Sequence, residues 1–263
     1  MGLLLNKWSF QVVDVMQSYA QTSLDDDTGK VMVLTEDTPD SPTIYTDENG
    51  TTLTETGGIG VLTLTNGRVS FFTAATVTAV DLSGITADGR AIGLNSVSSS
   101  VGRILVNPMS SRQTVAVPFG PNNNSEQDTG LDLPANCLMT AYDVSLRVTT
   151  ADATETIDVG LLSGEAGGDA NGFITVGDVG TTGWRELLPQ ITGGTTIDYV
   201  GTRYIGDLLA TSITGADAVA TVGGFTSKRY RTDGTAKSIS YTGSAGSDTA
   251  AGYVYLSWER LPF

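Results

Sequence analysis

The chain contains no histidine, and that absence removes more chemistry than any motif present supplies. A Ser-His-Asp or Cys-His nucleophile, a histidine zinc site and the commonest general base are all impossible. Cysteine is nearly absent too. Cys137 alone cannot form an internal disulfide, so stability must come from core packing or association, and the thiol is expected as a small buried filler. Charged residues are sparse at 16% and one-sided, with 29 Asp+Glu against 14 Lys+Arg for a formal −15. Such a surface repels phosphate backbones, so no nucleic-acid partner is expected. No apolar run approaches the roughly 20 residues of a membrane-spanning helix, and Met1 to Trp8 lacks the positive region of an export signal. Neither a membrane anchor nor export is expected. The 32 glycines follow no Gly-X-Y period, which excludes collagen.

What the sequence does have is turn chemistry. Asn49-Gly50, Asn66-Gly67, Asp88-Gly89, Asn171-Gly172 and Asp233-Gly234 lie near short Val/Thr/Tyr-rich runs, and these dipeptides accept the φ > 0 geometry of tight hairpin turns. With 263 residues, 40% of them hydrophobic, the chain can bury a real core, and its size suits two domains.

Trp8, Phe10 and Val12 alternate with Ser9 and Gln11 as a strand would, although Trp8, Val12, Val15/Met16 and Tyr19 also fit a helical face; the strand is favoured. An acidic turn at Asp25-Asp26-Asp27 precedes the apolar strand Lys30 to Leu34. Residues 1–37 are therefore expected as an N-terminal arm with first strands, and 38–95 as a small β domain. Ser96 to Ser100 and Pro118 to Ser125 break the texture, so 96–125 reads as a linker. Beyond it, Tyr142, Val144, Leu146 and Val148 alternate with Asp143, Ser145 and Arg147, and the pattern recurs at Ile157, Val159 and Leu161 and at Tyr253, Tyr255 and Ser257. Residues 126–263 are expected as a jelly-roll-like β-sandwich, making the fold all-β. Asp198 to Ile213 fits either a helical turn or a kinked strand.

Chemistry-bearing clusters are few. Glu155, Asp158, Glu165 and Asp169 would be the carboxylates of a glycosidase, a reading from which no enzyme is expected because turns attract acidic residues anyway. Glu165, Asp169 and Asn171, in the loop Gly164 to Gly172, are candidate calcium ligands, though the loop does not match the twelve-residue EF-hand pattern and the expectation is no cofactor. Trp184, Tyr199, Tyr204, Tyr230, Tyr253, Tyr255 and Trp258 are candidates for a sugar-stacking platform, with core or subunit packing as the alternative. Lys228-Arg229-Tyr230-Arg231 is the single basic cluster, suited to an acidic patch on a neighbouring subunit or to an exposed polar strand. Leu3, Leu4, Leu5, Trp8 and Phe10 are candidate interface residues.

The stretch Ile44-Tyr45-Thr46-Asp47-Glu48-Asn49-Gly50-Thr51-Thr52-Leu53, followed by Asn66-Gly67-Arg68-Val69-Ser70-Phe71-Phe72, resembles a segment of tailed-bacteriophage head-fibre, decoration and tail-fibre proteins. The run Tyr142 to Leu162, with Gly168 to Ile174, is similar to a β-sandwich domain of phage virion proteins. Together they cover less than half of the chain, and residues 55–64 are an insertion relative to the first motif. The resemblance implies a non-enzymatic virion component, assembled in the host cytoplasm and homotrimeric. It would decorate or stabilise the capsid through the major capsid protein or another virion protein. The alternative is a carbohydrate- or receptor-binding β-sandwich, such as a tail-fibre tip recognising a host glycan; an exposed Trp184 or Trp258 beside acidic groups would favour it.

Overall fold

The computed structural model describes residues 4–14, 29–53, 59–100, 103–106, 112–121, 124–187, 190–192, 198–200, 204–213, 224–244 and 249–260. The described chain is all-β, with several antiparallel sheets and a single 3₁₀ turn at Ala141–Asp143.

The first nine strands are β1 (Leu5–Asp14), β2 (Lys30–Thr35), β3 (Ile44–Tyr45), β4 (Gly60–Thr63), β5 (Arg68–Ala74), β6 (Ala79–Ile85), β7 (Ala91–Ser98), β8 (Arg103–Val106) and β9 (Gln113–Phe119). They form an outer sheet in the order β3-β5-β1-β8 and a second sheet in the order β4-β2-β6-β7, while β9 leaves to join the other half of the chain. The alternation Trp8, Phe10, Val12 points one face of β1 inward, where Trp8 stacks on Phe71 with ring centroids 5.7 Å apart and planes 4° from parallel. Its indole Nε1 donates to Thr73 Oγ1 at 2.9 Å, satisfying the one polar atom the burial would otherwise strand.

The second sheet explains how the two halves join. Val31, Met32, Val33 and Leu34 of β2 are all buried. A run apolar on both faces belongs to a sheet covered on both faces. Val31 and Val33 join the core of Trp8, Phe10 and Phe71, whereas Met32 and Leu34, with Ile85 from β6, join the core of the C-terminal half. Each fully buried side chain of this size contributes about 1.5–3 kcal/mol, so this middle sheet fuses the halves. Polar pins reinforce it: Ser83 Oγ donates to the Ala116 carbonyl at 2.5 Å, Ala91 N to Gln113 Oε1 at 3.0 Å, and Trp258 Nε1 to the Gly89 carbonyl at 3.2 Å.

The remaining strands are β10 (Gln127–Leu133), β11 (Cys137–Thr140), β12 (Val144–Thr150), β13 (Thr156–Leu161), β14 (Asp169–Asp178), β15 (Gly183–Arg185), β16 (Gln190–Thr192), β17 (Asp198–Val200), β18 (Ala210–Ile213), β19 (Gly224–Ser227), β20 (Arg229–Arg231), β21 (Lys237–Gly243) and β22 (Ala251–Arg260). One sheet runs β10-β21-β13-β14; the other runs β15-β12-β22-β11-β20, with β9 also paired to β22. Leu146, Val254, Leu256 and Trp258 of the second sheet share a core with Leu131, Val159, Leu161 and Ile239 of the first. β16 pairs with β17 and β18 with β19 as separate two-stranded sheets.

Two expectations change. Residues 96–125 are not an unstructured linker: they contain the end of β7, then β8, which pairs in parallel with β1, then β9, which pairs with β22. The Ser-rich texture of 96–100 marks a strand end and turn, and Val115, Val117 and Phe119 alternate inward as in any other strand. Asn171-Gly172 is not a turn but lies inside β14. A Cβ on Gly172 would sit 2.4 Å from Leu208 Cδ1, so this glycine serves close packing. By contrast, Asn66-Gly67 is a tight turn as expected, with φ of +48° and +67° and reciprocal bonds between Thr65 and Arg68, although the strands it joins, β4 and β5, go to different sheets. For Asp198 to Ile213 the described residues form β17, a loop and β18, with no helix.

Candidate functional site

The outer face of the β15-β12-β22-β9 layer turns towards the middle sheet, and the two do not close completely. A cleft of about 440 Å³ remains, lined by Asp37, Asp81, Ser83 and Asn95 on the middle-sheet side and by Arg147, Tyr253 and Tyr255 on the other. Register builds its floor. Trp184 of β15 lies directly opposite Arg147 of β12, and Arg147 directly opposite Tyr253 of β22, so the three share one face. Tyr255, two residues along, extends it. The Trp184 and Tyr255 rings are 5.1 Å apart and inclined by 38°; the Tyr253 and Tyr255 rings are 6.2 Å apart and inclined by 42°. The result is a curved aromatic row that runs from the cleft to the free edge of β15.

Each part is held by the fold. Arg185 fixes β15 by an ion pair with Asp178 and by donating from Nε to the Asp178 carbonyl at 3.1 Å. Asp81 is buried, and its carboxylate accepts from Ser96 N at 2.7 Å and Asp37 N at 3.0 Å. Those two residues have φ of +53° and +60°, and the β6–β7 register shifts beside Asp81. Asp81 therefore pins a bulge and a turn, shaping the cleft wall. Burial, reinforced by the nearby Asp81 carboxylate, pushes the Tyr253 hydroxyl well above the ordinary phenol range. It stays protonated and able to donate across the accessible pH range.

The other candidates lie elsewhere. Trp8 and Phe10, offered above as contacts for a neighbour, are core residues at 0% and 1% exposure, because the strand alternation that made them conspicuous turns them inward. Leu4 is exposed and Leu5 partly so, while Leu3 lies outside the described residues, as does Asp25-Asp26-Asp27. Glu165 accepts from Ser238 N at 3.0 Å and Ser238 Oγ at 2.8 Å, and so turns to β21 and not to Asp169 and Asn171. Among the described residues no three Asp, Glu, Cys or His side chains group as metal ligands. Of the carboxylates considered for glycoside hydrolysis, Glu155 is buried and Asp158 accepts from Val176 N at 2.7 Å. Cys137 is buried, and desolvation raises its thiol to about 11, an inert state. Trp258 is fully buried and Tyr230 packs edge-on against Phe173. Of the basic cluster, Lys228, Arg229 and Arg231 are exposed on and beside the edge strand β20.

Of the aromatic candidates, Trp184, Tyr253 and Tyr255 are the ones brought together at a cleft, and Trp184 is 63% exposed. Sequence reasoning placed Arg147 on the wet face of its strand but missed its partnership with them. The available signal for Asp81 was a single acid inside the otherwise apolar Ala79-Val80-Asp81-Leu82. Among the described residues no helix is long and apolar enough to cross a membrane. No family model matches the chain, and no curated protein matches it.

Proposed function

We propose that the protein is a non-enzymatic structural component of a bacteriophage virion, a rigid β scaffold that decorates or stabilises a capsid surface as a symmetric homotrimer. The observation that carries this reading is the middle sheet, buried on both faces, which fuses the two halves without a disulfide. A particle component assembled in a reducing cytoplasm and then exposed outside needs that kind of internal bracing. The sequence resemblance at Ile44 to Leu53 and Tyr142 to Leu162 supplies the class. In this reading the C-terminal half is a jelly-roll-like domain that trimerises and projects, and the N-terminal half attaches to the major capsid protein.

Light scattering on the purified chain, before and after EDTA, tests the assembly. A trimer is expected in both conditions. A stable monomer removes the symmetric association on which the reading depends, and dissociation on chelation returns calcium to Glu165, Asp169 and Asn171.

A second reading is favoured by one observation. Trp184 is exposed next to a cleft walled by Asp37 and Asp81, which is the arrangement expected of a carbohydrate- or receptor-binding β-sandwich.

A further inference from the structure

We propose that the cleft between β6–β7 and β12–β22, with Trp184 at its rim, binds a neutral oligosaccharide. This rests on the carbohydrate-binding reading and is independent of virion membership.

The cleft's volume of about 440 Å³ falls within the range of small-ligand sites, about 300–1,000 Å³. Its chemistry is divided in the way a sugar requires. Pyranose rings present C–H faces, which pack on aromatic plates, and a rim of hydroxyls, which need both donors and acceptors. Trp184 and Tyr255 form the plates, their rings 5.1 Å apart, and the buried Tyr253, its ring 6.2 Å from that of Tyr255, backs them. Their mutual inclination curves the row, as an oligosaccharide chain also twists. Asp37 and Asn95 supply acceptors on one wall, and Arg147 supplies a fork of donors at the centre of the aromatic row.

Other occupants fit less well. A lipid or other apolar ligand would strip water from Asp37, Asn95 and Arg147 without replacing their hydrogen bonds. A phosphate or sulfated ligand would face two carboxylates beside a single guanidinium, on a chain of net charge −15. A uronic or sialic acid meets the same repulsion, so the ligand is neutral.

The tryptophans supply their own reporter. The chain has three, of which Trp8 and Trp258 are 0% exposed and Trp184 is 63% exposed. Acrylamide quenching of the intact protein therefore reads Trp184. A panel of neutral oligosaccharides (cello-, malto-, xylo- and chito-hexaoses) and an oligogalacturonate is titrated while quenching is followed. At least one neutral member is expected to protect Trp184 saturably, with no protection by the oligogalacturonate. Arg147→Ala, Tyr255→Ala and Asp37→Asn retain Trp184 as reporter, and each should weaken protection by about tenfold or more, the equivalent of one good contact. Asn tolerates the positive φ of position 37, so the last variant leaves the turn intact.

Three outcomes overturn the proposal. Millimolar concentrations of every neutral member fail to protect Trp184; the variants bind as well as the parent; or Trp184 is already shielded in a concentration-dependent way without sugar, which makes this face a contact between copies. The first two leave the trimer mass that tests the scaffold reading untouched, and the third would add this face to the contacts between copies, so failure of the sugar site and failure of the scaffold are told apart.

Discussion

Two clefts lie along the junction of the halves, towards opposite ends of β6, and they differ in almost everything but their location. The larger, near Asp81, has an aromatic floor and an open rim. The smaller, about 170 Å³ near Ile85, is lined by Lys30, Asp132, Pro134 and Arg260 and carries no aromatic ring. At the inner end of the larger cleft the same strand is sealed: Ser83, part of the cleft wall, is bonded to Ala116, and Met32, opposite it on β2, is fully buried. Read along one face of β6, Asp81, Ser83 and Ile85 pass from charge to hydroxyl to hydrocarbon. The difference teaches that a single strand face can weld two layers and, two residues away, hold them apart. What decides is where its side chain reaches: Ser83 bonds across to Ala116 of the facing layer, whereas Asp81 accepts from Asp37 and Ser96 on its own side of the cleft.

The largest expected effect comes from removing the seal. Met32→Ala should cost about 2–5 kcal/mol in chemical denaturation, the range for deleting a buried side chain of this size. A loss below about 1 kcal/mol would mean the halves are not joined through this strand. Ser83→Ala removes the polar pin and leaves the Ala116 carbonyl without its hydroxyl donor, at a cost of about 1 kcal/mol in the same assay.

Asp132, in the smaller cleft, should act in the opposite direction. Burial raises its carboxyl above the ordinary 3.8 despite the hydrogen bond from Ser238 and the charge of Lys30. The folded state then holds this proton more tightly than the unfolded chain. Its contribution is fully present below pH 3.8 and is lost as pH rises through the folded value, so at neutral pH the charge is destabilising. Asp132→Asn should therefore raise the thermal midpoint slightly at pH 7 and leave it unchanged below pH 3.8; an equal shift at both pH values would refute the assignment. The smallest effect belongs to Arg147→Ala in the larger cleft. Because the side chain is exposed, stability should stay within about 0.5 kcal/mol of the parent. A larger loss would make the residue part of the weld and not of an open site.

Much of the architecture is legible in the sequence, because period-2 alternation is a local signal. Val144, Leu146 and Val148 read correctly without knowledge of their partners, whereas Tyr142 and Asp143, read into the same alternation, lie in the 3₁₀ turn before the strand with Tyr142 exposed and Asp143 buried. β2 was legible as a strand from Val31 to Leu34, but a buried run does not say what covers each face. That is why the middle sheet, and with it the true role of residues 96–125, could not be seen. Gly172 misled for a related reason: its demand for space comes from Leu208, 36 residues away, whereas Gly67 answers to its immediate neighbours. The cleft was half legible. Aromatic residues could be named, but the register that aligns Trp184, Arg147 and Tyr253 across three strands depends on pairings over long sequence distances.

Those long distances set the order in which the molecule can form. β22 lies between β9 and β12 and also pairs with β11, yet it is separated from β9 by more than a hundred residues. During synthesis, β9 and β12 wait through the emergence of roughly a hundred further residues or more with unsatisfied edges and the inward-facing Val115, Val117, Leu146 and Val148 uncovered. Closing so long a loop is slow, and open edges of that composition are where nascent chains stick to one another. Yield on expression or refolding should therefore be limited by the arrival of residues 251–260, and a peptide of that sequence added in trans during refolding would compete for the same gap.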